Sequence, residues 1–99
     1  MKKLRPCIYI LGTRRNGTLY VGVTSQLAKR IFLHREEVSD GFTKKYRVHR
    51  LLWFEWHATM LDAIKREKVI KRWNRAWKIR LIEEANPYWR DLFAEVCGQ

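Results

Sequence analysis

The chain has 99 residues, 46% hydrophobic and 13% aromatic, and its 21 Lys and Arg outnumber 10 Asp and Glu to leave a net charge of +11. This length accommodates one compact domain, taken as residues 1–99, and the apolar share supplies its core, which argues against a second catalytic domain and against a disordered chain. Such a charge excess points to a polyanionic partner, nucleic acid first and an anionic membrane surface second, with simple solubility as the plain alternative.

Residues 7–11 (Cys-Ile-Tyr-Ile-Leu) and 18–23 (Thr-Leu-Tyr-Val-Gly-Val) are rich in β-branched and aromatic types, and Asn16-Gly17 between them is a turn signal, so a β-hairpin is predicted. Both strands are apolar on both faces, as in a sheet covered on each side. Ser25 is placed to cap a helix over 26–38, in which Leu27, Ile31, His34 and Val38 recur at helical spacing, and Gly41 marks its end. Residues 51–57 read as a third strand from their aromatic content. Helices are predicted over 60–75 and 77–85, and Asn86-Pro87 reads as the N-cap and first residue of a last helix. The order β-β-α-β-α-α-α predicts an α/β (α+β) domain, a small three-stranded, mainly antiparallel sheet flanked by helices.

Cys7 and Cys97 lie at opposite ends without a CxxC partner, which suits a reducing, cytoplasmic setting better than a disulfide framework. The apolar run at 7–11 is too short for a signal peptide, and nothing approaches the roughly 18 apolar residues of a membrane span. His34, His49 and His57 lack zinc-site spacing, so any metal would be a hard ion on oxygen.

Several polar residues fall where a core would not place them. Glu67 projects into the apolar stripe of Met60, Ala63, Ile64, Ile70 and Trp77; it either binds a cation or pairs with Lys71 one turn later. Arg30 and His34, four apart, project towards the sheet. They could hold a phosphate and move a proton, or snorkel to water and pack at the boundary. If the hairpin loop is even in length and no bulge intervenes, paired positions sum to an odd number, and Tyr9 and Tyr20 share a face. Trp73 and Trp77 suit core packing better than base stacking.

These residues resemble the GIY-YIG nucleases, in particular small stand-alone members similar to the nuclease module of the DNA-repair enzyme that makes the incisions in excision repair. The first signature stands here as Cys7-Ile8-Tyr9 and the second as Tyr20-Val21-Gly22, with Arg30, His34, Glu67 and Asn86 following in order. The resemblance spans residues 6–92. Three departures accompany it: Cys7 for the first glycine, Val21 for isoleucine, and Val23 where the excision-repair branch has a lysine, a cation that Lys29 could replace.

The resemblance implies an endonuclease that hydrolyses phosphodiesters with one Mg²⁺ or Mn²⁺, on DNA rather than RNA. Glu67 would hold the metal, Arg30 would neutralise phosphoryl charge, and Tyr20 would orient or activate water. Tyr9 and His34 would support that water and its proton, and Asn86 would fix the site, although capping alone also explains an Asn before Pro. Arg14, Arg15, Lys29, Lys44, Lys45 and Arg47 are expected to track phosphates, with target choice left to this surface or to a protein partner. The alternative is a module of the same fold that binds nucleic acid without cutting it.

Overall fold

Strand β1 (Cys7–Gly12) lies between β2 (Leu19–Thr24) and β3 (Arg50–Trp56), antiparallel to both. The computed structural model describes residues 4–13, 17–35 and 50–97, without the side chains of His34, Arg35 and Cys97. Central position explains why β1 is buried along its whole length, whereas β2, at the edge, is buried only at Val21 and Gly22. The hairpin register is Tyr9↔Gly22 and Leu11↔Tyr20, so paired positions sum to an odd number as expected. Tyr9, Leu11 and Tyr20 therefore share one face, and Ile8, Ile10 and Val21 the other.

Each face has its own core. The first joins Cys7, Tyr9, Leu11 and Leu51 to Leu27 and Ile31 of α1 (Leu27–Arg35), and to Leu92 and Val96 in and beside α4 (Phe93–Cys97). The second sets Ile8, Ile10, Val21, Leu52 and Trp53 against Ala63 and Ile70 of α2 (Met60–Arg72), Ile82 of α3 (Arg75–Ala85), and Trp89. Each fully buried Ile or Leu contributes about 1.5–3 kcal/mol. A register shift in the β1–β3 ladder lets both Leu52 and Trp53 serve the second core, because Ile10 pairs Trp53 while Leu11 pairs Leu51.

Three helix boundaries differ from expectation. The helix expected to reach residue 75 stops at Arg72, since Trp73 is extended and the Asn74 side chain accepts the Trp77 N–H at 3.0 Å, starting α3 two residues early. At α1 the hydroxyl near the start is Thr24, not Ser25; its Oγ1 accepts the Gln26 N–H at 3.0 Å. Asn86 is not the N-cap of the last helix but the C-cap of α3, its N–H donating to the Ile82 carbonyl at 2.7 Å. The last helix begins instead at Phe93, whose N–H donates to Asp91 at 3.1 Å.

Candidate active site

Tyr9 is only 1% exposed, and a side chain pointing from the middle of a covered sheet needs room to reach an edge. Its cross-strand partner Gly22 supplies that room. A Cβ built on Gly22 would lie 2.5 Å from Tyr9 Cζ and closer still to the hydroxyl, so the phenol lies directly over the glycine and extends across β2. Sequence reasoning assigns this glycine to close approach beside Tyr20; the residue it accommodates is Tyr9. The Tyr20 ring stands on the same face, its centroid 6.4 Å from that of Tyr9 and its plane tilted by 36°.

Helix α1 begins shortly after β2 and returns across this face. Leu27 and Ile31 anchor it in the first core, and Arg30 between them is directed at the phenols. The hydrogen bond with Tyr9 is the main cause that raises the Arg30 guanidinium above its ordinary value, against the opposing effect of partial burial. Coulombic attraction to both phenols and a hydrogen bond with Tyr20 add to it. The attraction is mutual, so the fixed charge of Arg30 favours the phenolate form of both tyrosines. Tyr9, Tyr20 and Arg30 thus form one cluster, able to offer a cation and two hydroxyls to a phosphodiester.

Glu67 belongs to the other side of the sheet. It lies between Ala63 and Ile70 on the stripe of α2 that packs against the second core, and α2 contacts β2 and β1 there. Its side chain is 12% exposed, and Oε2 pairs with Lys71 Nζ at 3.3 Å, the helical pairing expected as the plain alternative. Among the described residues Oε1 has no partner. One largely buried carboxylate with a free oxygen suits Mg²⁺, which often takes one or two carboxylates and keeps waters and substrate phosphate as its other ligands. Among the described residues there is no group of three His, Cys, Asp or Glu side chains that would form an all-protein metal cage.

The model of the GIY-YIG catalytic domain matches residues 5–80. The chain belongs to the GIY-YIG family. It is similar to a UPF0213 protein of Staphylococcus saprophyticus, 36% identical over 77 residues that cover 78% of this chain and 93% of the relative. A UPF0213 protein of Bacillus pumilus is 33% identical over 84 residues, 85% of each chain, and one of Staphylococcus aureus is 35% identical over 69 residues, 70% and 84% respectively. No solved structure gives a significant match. Membership implies nuclease-type activity of the endonuclease kind and binding to nucleic acid, and nucleases of the family generally depend on a divalent metal.

The GIY-YIG signatures have a direct physical reading in this chain. They are antiparallel neighbours, and the glycine ending the second leaves space for the tyrosine ending the first. Val23 pairs with Ile8 and packs on the second core, so the lysine it replaces would project towards α2 rather than towards Arg30. Lys29, exposed on the outer side of α1, does not take that place.

Asn86 lies beyond the matched residues and is 2% exposed. Its Nδ2 donates to the Leu52 carbonyl at 3.1 Å and the Arg90 carbonyl at 2.8 Å, while Oδ1 accepts the Arg90 N–H at 3.1 Å. These bonds tie the end of α3 to β3. The His34 side chain and Arg14, Arg15, Lys44, Lys45 and Arg47 lie outside the described residues. Trp77 departs from the expected core role, being 50% exposed with its ring edge-on to the half-buried Trp73. No helix among the described residues is long and apolar enough to cross a membrane.

Proposed function

We propose that this GIY-YIG protein is a magnesium-dependent endonuclease that hydrolyses phosphodiester bonds in DNA, with Mn²⁺ able to substitute. The observation that carries the reading is the cluster in which Arg30 is hydrogen-bonded by two phenols on a common face. A guanidinium fork neutralises two phosphoryl oxygens at once, and its hydrogen bonds to Tyr9 and Tyr20 fix it before substrate arrives. Tyr20, half-buried on the edge strand, orients the attacking water through its Oη and accepts its proton, helped by the charge of Arg30. Tyr9, buried, holds Arg30 in place and supports the same proton. Glu67 would hold the metal through its free Oε1, and a bound divalent ion supplies Lewis-acid stabilisation of the phosphoryl charge and a more acidic water. Asn86 acts as a positioning residue through the bonds that fix α3 to β3.

The reading is tested by incubating the protein with branched, nicked, single-stranded and duplex DNA, and with RNA, with and without Mg²⁺, beside Glu67→Gln and Arg30→Ala. Expected is metal-dependent cleavage that falls about 100-fold or more in each variant, the usual scale for removing a group that stabilises transition-state charge. Equal cleavage by Glu67→Gln and wild type refutes the metal role. The position of Glu67 across the sheet from Arg30, paired with Lys71, favours the alternative of a binding module without catalysis. Salt-sensitive binding without cleavage of any substrate would establish that alternative.

A further inference from the structure

Arg75 and Lys78 occupy the first turn of α3 and face the end of the hairpin, where with Gly17, Thr18 and Leu19 they line a cavity of about 580 Å³. Arg75 is fixed there, its Nη2 donating to the Gly17 carbonyl. The first turn of a helix carries the positive end of the helix dipole and favours acids; this one has none and sets two cations there instead. A third cation, Lys71, closes in from the last turn of α2. Partial burial, followed by repulsion from Arg75 and Lys71, holds the Lys78 ammonium below its ordinary value. Among the described residues no carboxylate pairs with Lys78, and the carboxylate beside Lys71 is Glu67. Unfavourable dipole, desolvation and mutual repulsion coincide at one cavity, and an anion within it relieves all three.

We propose that this cavity is a second phosphate subsite, in which Arg75 and Lys78 hold a backbone phosphate of the nucleic acid outside the Tyr9–Tyr20–Arg30 cluster. The identity of the anion rests on the nuclease reading; the subsite itself rests on the cation cluster and cavity. A polymer is favoured over a free anion because Leu19, in the cavity wall, is followed in β2 by Tyr20, so one strand borders both sites. The chain's net charge of +11 works in the same direction by drawing a polyanion.

The test is binding of a fluorescein-labelled DNA duplex, followed by anisotropy in EDTA over a range of salt, for wild type, Lys78→Gln and Arg75→Gln/Lys78→Gln. Lys65→Gln, an exposed position on α2, serves as the charge-matched control. Expected is a loss of affinity of about 10-fold or more in the double variant. The slope of log K against log salt should flatten by about 0.9 for each phosphate that is no longer neutralised. Lys65→Gln should change affinity less than about 2-fold. Equal losses in the control and Lys78→Gln, with thermal unfolding unchanged in both, overturn the subsite. In a parallel NMR titration the amides of Thr18 and Leu19 should respond to duplex at far lower phosphate concentration than to inorganic phosphate. Equal midpoints overturn the polymeric ligand. Binding is read without metal, so a protein that binds through this cavity and cuts nothing refutes only the nuclease reading. One that cuts normally while Lys78→Gln binds like wild type refutes only the subsite.

Discussion

Gly22→Ala tests the packing at the centre of the site, because the general effect of the substitution and the effect expected from this geometry have opposite signs. Gly to Ala inside a strand ordinarily stabilises by about 0.5–1 kcal/mol, since the unfolded chain loses freedom. Here the new Cβ would lie 2.5 Å from Tyr9 Cζ and 3.0 Å from Cε2, and Tyr9 is fully buried and cannot simply turn aside. Overpacking of this kind costs about 1–3 kcal/mol. If the phenol is pushed off Arg30, the loss of a charge-assisted hydrogen bond adds about 1.5–3 kcal/mol. The net expectation is destabilisation by about 2–5 kcal/mol, and at about 4–8 °C per kcal/mol a fall in Tm of about 10 °C or more. Chemical denaturation of Gly22→Ala, Tyr9→Leu and the double variant provides the assay. Leucine lacks every atom in that overlap, so in the Tyr9→Leu background Gly22→Ala should cost less than about 1 kcal/mol or become stabilising, leaving a large coupling energy. Wild-type stability in Gly22→Ala, or the same loss in both backgrounds, would refute the close approach of Tyr9 to Gly22.

Asn86→Ala should destabilise by about 3–5 kcal/mol, because the buried Leu52 and Arg90 carbonyls and the Arg90 N–H lose their partner together. A variant with wild-type Tm and reduced cleavage would instead place Asn86 in the chemistry. In a Cys97→Ser background, Cys7 should react with iodoacetamide at pH 8 about a thousandfold more slowly than an exposed thiol, because burial pushes its pKa from 9.0 up to about 12. The raised value also means that Cys7's contribution to stability is complete below pH 9.0 and is lost as pH rises towards 12. Denaturation midpoints that stay flat over that range in wild type, yet fall in Cys7→Ala, would contradict this assignment.

The hairpin is legible in the sequence because its signals are local. Strand-forming runs flank Asn16-Gly17, and the parity of the pairing alone places Tyr9 and Tyr20 on one face. The approach of Arg30 is legible as a helical offset from Leu27 and Ile31. What the sequence leaves open depends on distant neighbours. The spacing of Glu67 and Lys71 fits a metal ligand and an ion pair equally, and only the packing of α2 against the second core shows which face the carboxylate takes. Asn-Pro reads alike as the start of one helix or the end of another; the deciding bond, to Leu52, spans 34 residues. The bulge at Leu52 leaves no mark on the hydrophobic pattern of β3, because every residue from Leu51 to Phe54 is apolar. Arg75 and Lys78 read as parts of a basic helix, and only the hairpin opposite them turns that run into a cavity wall.

The two faces of the sheet give the proposed chemistry an unusual layout. Arg30 and both phenols stand on one face, while Glu67, Lys71 and the Arg75–Lys78 cavity belong to the other. Strand β2 is common to both, since it carries Tyr20, supports the Tyr9 ring at Gly22, packs Val21 against the second core and is contacted by α2. It is also an edge strand, with no described β-strand on its outer side. A nucleic-acid backbone laid along that edge would meet the guanidinium from one layer and the carboxylate-held metal from the other, without either having to cross the core. This arrangement explains why valine is compatible at position 23: a lysine there would bring a further positive charge to the layer already holding Lys71, Arg75 and Lys78.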